Sequence, residues 1–152
     1  LHLLSRRQRQ MCIRDSPYMI PSYLISIRNS FHKNFAKPFS LAELETQYEI
    51  SRFRIAHEFT AAFGQSPIAY LNCLRLQKAC ELLTCSDDRI GEISTAVGFE
   101  NTNHFINLFR RQYGMTPGTY RKHHKQYITS ERRSASELPR EWSPNQPSQA
   151  LH

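Results

Sequence analysis

No run of about 20 apolar residues occurs in the 152-residue sequence, which excludes a membrane-spanning helix. Cysteine is sparse and poorly spaced for metal. Cys12, Cys73, Cys80 and Cys85 form no CxxC pair, and no histidines stand at zinc-finger spacing. The thiols read as small apolar groups of a reduced, cytoplasmic protein, and neither a metal nor another cofactor is expected. A strong charge of one sign is also missing from the part that could fold. The net charge is +7, but residues 1–16 contribute +3 through Arg6, Arg7, Arg9 and Arg14 against Asp15. Residues 17–125 hold 13 Lys and Arg against 9 Asp and Glu, and residues 126–152 are neutral. A mildly basic domain permits nucleic-acid binding without demanding it.

What is present suits one globular domain. Hydrophobic residues make up 39% and charged residues 22%, and a chain of this length buries about two-thirds of its unfolded surface. The two ends do not share in this. Leu1–Ser16, LHLLSRRQRQMCIRDS, has no sustained apolar period and reads as translated sequencing adapter. A basic arm on DNA is the alternative. On the adapter reading, the natural start and any upstream sensor domain lie outside this sequence. Residues 126–152 carry Pro139, Pro144 and Pro147 among Ser, Gln, Arg and Glu, with Trp142 the main apolar exception. Such a segment buries too little to offset its ordering entropy, so a disordered tail is expected.

Between the ends lies a repeat. At an offset of 50, Ile55 matches Phe105, Phe59 matches Phe109 and Phe63 matches Tyr113; Gly64–Tyr70 then matches Gly114–Tyr120 through Ser66/Thr116 and Pro67/Pro117. Upstream the offset is 49, pairing Leu41 with Ile90, Leu44 with Ile93, Tyr48 with Val97 and Ile50 with Phe99, so one residue is inserted near Asn101. A supersecondary unit therefore occurs twice.

Each unit reads as two helices about a tight turn. In the second, Asp88 is positioned to cap a helix over Arg89–Ala96, Gly98 supplies a turn without Cβ, and a helix follows over Thr102–Tyr113 until Gly114. In the first, Ser40 and Glu43 fit a capping box, and Ser51 caps a helix burying Ile55, Phe59, Ala62 and Phe63. Ser66 and Pro67 open a connecting helix to about Thr84. Its apolar positions Ile68, Leu71, Leu74, Leu76, Ala79, Leu82 and Leu83 are too widely spread for a single contact, as a helix between two lobes requires. Leu24, Ile27, Phe31 and Phe35 mark a support helix within Tyr18–Phe35, and Thr116–Pro117 open a short last helix to about His123. The expected fold is all-α, about seven helices: a helix-turn-helix unit near 40–64, a linker helix near 67–84 and a second unit near 88–114.

The runs SPIAYLNCLRLQKACELL and IGEISTAVGFENTNHFINLFRRQYGMTPGTYR closely resemble the DNA-binding domain of AraC/XylS-type transcription regulators. Gly98–Phe99, Phe105, Phe109, Gly114 and Thr116–Pro117 through Tyr120–Arg121 carry the resemblance, which covers about Tyr18–Lys125. It implies sequence-specific double-stranded DNA binding by two recognition helices in successive major grooves of a promoter or operator. It also implies regulation of transcription, as an activator, in a cytoplasmic, nucleoid-associated protein. RNA polymerase is a further expected partner; a small-molecule effector would act only through a missing N-terminal domain.

With the apolar stripes turned inward, helical geometry turns Arg52, Phe53, Ala56, His57 and Thr60 outward in the first unit. Thr102, Asn103, Ile106, Asn107 and Arg110 follow in the second, the same positions at offset 50. Asn103 and Asn107 can pair bidentately with adenine, and Phe53 and Ile106 can meet thymine methyls. Arg52, Arg110 and Arg111 suit phosphates; His104 is either a DNA contact or a bystander. An ordinary solvated face is the alternative for all of them. His57 and Asn107 stand where many family members carry Arg, Glu45 where a small residue is usual, and Glu49 where the second unit has Gly98. No enzymatic activity is expected. A helix-turn-helix part of a larger alkyl-transfer repair enzyme is the alternative, but no His or second thiol partners the cysteines. A protein-docking helical module is the other.

Overall fold

A computed structural model describes residues 20–136, with side chains described to residue 128. The described residues form seven helices and no strands: α1 (Ser22–Asn34), α2 (Leu41–Tyr48), α3 (Arg52–Phe63), α4 (Pro67–Cys85), α5 (Ile90–Ala96), α6 (Thr102–Tyr113) and α7 (Pro117–Ser136). None of these helices is long and apolar enough to cross a membrane. Leu1–Ser16 and Trp142 lie outside the described residues.

The helix boundaries follow from local chemistry. Ser51 Oγ accepts from the Arg54 amide, Ser66 Oγ from Ala69 and Thr116 Oγ1 from Thr119, each at 3.3 Å. These bonds satisfy amides that a helix start leaves without carbonyl partners. Pro67 occupies the first turn of α4, where no amide hydrogen is needed. Gly64 and Gly114 end α3 and α6 in left-handed conformation.

Two apolar cores result. Leu24, Ile27 and Phe31 of α1, Leu44 of α2, Ile55 and Phe59 of α3 and Leu71 of α4 form the first. Leu76, Ala79 and Leu83 of α4, with Ile93, Val97, Phe99, Phe105 and Phe109, form the second. The linker helix thus feeds both cores from one length of backbone. The repeat is legible in the aromatic packing. Phe59 stands 4.5 Å from Phe63 and 5.6 Å from Tyr70, ring centre to ring centre; Phe109 stands 4.7 Å from Tyr113 and 5.5 Å from Tyr120. Each inner ring meets the tyrosine edge-on, a favourable quadrupole arrangement.

Arg75, 7% exposed, is the charged residue between the cores. Its Nε donates to the Phe35 carbonyl at 2.7 Å and its Nη2 to the Lys37 carbonyl at 2.9 Å, while its guanidinium lies 5.6 Å from the Phe99 ring centre. Burial lowers its pKa, and the field of Glu100 opposes that shift. The group still stays charged, because guanidinium titrates so high.

Several sequence expectations need correction. Asp88 does not cap α5: Arg89 takes that position, and the Glu92 carboxylate accepts from the Arg89 amide at 2.9 Å, so the helix starts at Ile90. Ser40 caps α2 without forming the Ser40–Glu43 box: its Oγ accepts from the Ala42 amide at 3.2 Å, not from that of Glu43. Ile68 is exposed rather than part of the buried stripe, and Ala62 and Phe63 are half-buried. The last helix does not stop near His123. It continues to Ser136, eleven residues into the segment whose composition reads as disordered. No glycine or proline interrupts the sequence from Thr119 to Leu138, and the Lys125–Asp87 ion pair ties the helix to the α4–α5 connection.

The two turns differ instructively. The inserted residue is Glu100, because Asn101 takes the capping place of Ser51 and accepts from the His104 amide at 3.1 Å. Glu49 and Gly98 both have positive φ, 55° and 99°. Only glycine adopts this freely; a residue with Cβ loses about 1–2 kcal/mol. A Cβ at residue 98 would also lie 2.8 Å from the Ala36 carbonyl oxygen. Glu49→Gly should therefore raise stability by about 0.5–1 kcal/mol, and Gly98→Ala should lower it by about 2 kcal/mol or more. Thermal unfolding followed by circular dichroism checks both; equal effects of one sign would contradict the assignment.

Candidate nucleic-acid interface

Helices α3 and α6 lie with their apolar stripes in separate cores, through Ile55 and Phe59 and through Phe105 and Phe109. Their opposite sides face solvent. Arg52, Phe53, His57 and Thr60 are exposed on α3, and Asn103, His104, Asn107, Arg110 and Arg111 on α6. Ala56, Thr102 and Ile106 are half-buried, and Ile106 also packs against the second core. These three form the shoulder of the face rather than its crest.

Phe53 is the most informative of them. It is 75% exposed, and the Arg52 guanidinium lies 5.3 Å from its ring centre. An aromatic ring so far from any core gains little from its own fold, whereas it offers a flat apolar surface to a ligand. Arg52, Arg110 and Arg111 form no ion pair among the described residues, where the ion pairs are Arg54–Glu58, Lys78–Glu81 and Lys125–Asp87. Their charges are free for an outside anion. Thr60 Oγ1 donates to the Ala56 carbonyl at 2.7 Å, leaving its lone pairs outward.

Sequence reasoning overlooked Arg54. It lies on the exposed side of α3, and its Nε donates to Glu58 Oε1 at 2.6 Å. Glu58 in turn accepts from the Tyr23 hydroxyl of α1. The repeat offset pairs residue 54 with His104, so the same argument that selected His104 would have found it. A groove of about 390 Å³ beside this network is lined by Ile20, Pro21, Arg54, His57, Glu58 and the two alanines 61 and 62.

The network shifts its members' titrations. The hydrogen bond from Tyr23 is the main cause that holds the Glu58 carboxyl below its ordinary range, helped by Arg54. Desolvation first, then the bond to Glu58, push the Tyr23 phenol up to about 12. Elsewhere, burial raises the Tyr113 and Tyr120 phenols beside the Cys80 thiol. No group of three or more His, Cys, Asp or Glu among the described residues is arranged to hold a metal ion. A face of amides, arginines, two histidines and one bare aromatic offers donors, acceptors, positive charge and a flat apolar surface to a ligand.

Known proteins share this fold. A family model described as a helix-turn-helix domain matches residues 44–123. The HTH-type transcriptional regulator MtrA of Neisseria gonorrhoeae is 41% identical over 73 residues, 48% of this chain and 24% of that protein. The HTH-type transcriptional activator RhaR of Pectobacterium atrosepticum is 31% identical over 121 residues, 79% of this chain and 42% of that protein. The chain thus spans less than half the length of these curated relatives. The DNA-binding domain of AdpA, a global transcriptional factor solved in complex with a target DNA, superposes with a TM-score of 0.65 at 25% identity, covering 68% of this chain and 94% of that one.

Because the folded Tyr23 phenol holds its proton more tightly than the unfolded chain does, its contribution to stability is complete below about pH 10. It is lost as pH rises through about 12. The Glu58 contribution runs the other way: it is present above the ordinary carboxylate range and lost as acid protonates the folded carboxylate. Tyr23→Phe should raise the Glu58 pKa toward its ordinary value in a side-chain carboxyl NMR titration. An unmoved titration would show that the phenol does not hold Glu58.

Proposed function

Since the chain belongs to the AraC-type family of helix-turn-helix DNA-binding transcriptional regulators, we propose that α3 and α6 enter successive major grooves on one side of a promoter duplex. Paired recognition helices of this kind meet grooves about 34 Å apart. One observation carries the reading. Residues 53, 57 and 60 and their partners 103, 107 and 110 are all exposed, on two helices that share a single linker. Solvated faces need no such correspondence.

The roles divide by chemistry. Asn103 and Asn107 read adenine edges, and Phe53 and the exposed edge of Ile106 meet thymine methyls. Arg52, Arg110 and Arg111 hold phosphates, fixing register without reading sequence. Ala56 and Thr102 lie close to the duplex and exclude bulk there; His57, Thr60 and His104 add polar contacts at the edge. Arg54 joins the phosphate contacts. Asn103 and Asn107 contribute two amide readers to the second unit, whereas the first unit offers Phe53, Ala56, His57 and Thr60 and reads less stringently.

The family's members regulate rather than catalyse, and the described thiols, Cys73, Cys80 and Cys85, stand on the linker helix α4 rather than on this face. RhaR is named an activator, and activation at a promoter, with RNA polymerase beside the bound duplex on the nucleoid, is the reading we favour. An effector would act through a further domain, the relatives being more than twice as long as the matched part.

Selection from random-sequence duplexes should enrich a bipartite motif. On that motif Asn103→Ala should lose about 1–3 kcal/mol while binding random DNA almost unchanged. Arg110→Ala should weaken every sequence and reduce the salt slope by about 1. Equal losses on selected and random DNA for both variants would contradict this division, and failure to enrich any motif would favour protein docking.

A further inference from the structure

Two lobes that share one helix are not thereby fixed in rotation. A single helix can twist or bend slightly, and the two cores meet α4 at different heights, Leu71 against Leu76, Ala79 and Leu83. Something must set how the second lobe is turned relative to the first.

The contacts at residue 75 do this. The guanidinium of Arg75 donates to two carbonyls of the first lobe, Phe35 and Lys37, which close the end of α1. Its face lies over Phe99, in the turn of the second lobe. The neighbouring Gly98 approaches so closely that a Cβ there would sit 2.8 Å from the Ala36 carbonyl oxygen. Phe35 packs against both cores. The segment 35–37 and the turn 98–99 are thus clamped on either side of one buried side chain. A planar fork with fixed donor directions restricts rotation in a way that apolar packing does not.

We propose that Arg75 is the positioning residue that sets the spacing of the two operator halves. It touches no DNA; it acts by holding the turn before α6 against the end of α1. The inference rests on the two-groove reading above. Moving one half-site by one base pair rotates it by about 35° and shifts it by about 3.4 Å. A clamped pair of helices cannot follow such a move without losing contacts in one half.

The test uses the full chain and synthetic duplexes carrying the selected motif. One base pair is inserted or removed between the halves, and each half is also presented alone. The wild-type protein should lose about tenfold or more per single-pair change, as a damaged half-site would. Arg75→Met should flatten this to less than about threefold while binding each half alone within about twofold of wild type. Normal half-site binding with a spacing profile as steep as wild type would overturn the proposal. Should Arg75→Met fail to fold by circular dichroism, Phe99→Leu decides. It keeps both carbonyl bonds but removes the ring, and should give an intermediate profile; a wild-type profile overturns the proposal equally. If the wild-type protein selects no motif, the two-groove reading itself fails and this inference falls with it. That outcome is visible before any variant is made.

Discussion

Helix α4 belongs to two cores at once, and everything outward-facing depends on that. A helix with a single buried stripe would leave one lobe to swing on a loop. Here Leu71 is claimed by the first core and Leu76, Ala79 and Leu83 by the second, so rotating α4 about its axis would expose apolar surface in both places. Burying each of the three leucines is worth about 1.5–3 kcal/mol. The charged residue between them, Arg75, adds direction to a contact that area alone would leave slack.

The same division separates what folds the protein from what it presents. Rings at Phe59, Phe105 and Phe109 are fully buried, and Phe59 and Phe109 each meet a tyrosine at a repeat-related position. The residues turned outward contribute little to that packing, with the half-buried Ile106 a partial exception. That outer face can therefore change without threatening the core, and the stability of the fold constrains its residues only at the half-buried shoulders. The Tyr23–Glu58–Arg54 network lets a helix outside both units reach the face, linking α1 to a cation on α3.

Much of this was legible in the sequence because it recurs. The all-α fold, both units, the linker and the span of α6 followed from apolar spacing and from Gly, Ser and Pro at matched positions. Ser51, Ser66 and Gly98 do what their residue types suggest. What escaped was whatever lacks a local signature. Arg75 looks like one more solvent-facing cation until tertiary structure supplies two carbonyls 38 and 40 residues away. Asp88 is a better capping residue than Arg89, yet the chain enters α5 one residue later and leaves the reciprocal bond to Glu92. The length of α7 was misjudged because composition was weighed over the whole of 126–152, although prolines begin only at Pro139. Arg54 was hidden by treating the two faces separately at a position where the repeat carries Arg in one and His in the other.

The unequal turns have a consequence for anyone wishing to recombine the two halves. The outer faces of α3 and α6 occupy matching positions, both begin at a side-chain cap, and both end at a left-handed glycine, so residues could be transplanted between them at an offset of 50. The elbows that precede them are not exchangeable. Glu49 holds its left-handed backbone with an exposed side chain, whereas Gly98 is wedged beneath Ala36 and followed by the extra Glu100. Grafts that swap reading heads should survive; grafts that swap hinges would force the halves apart.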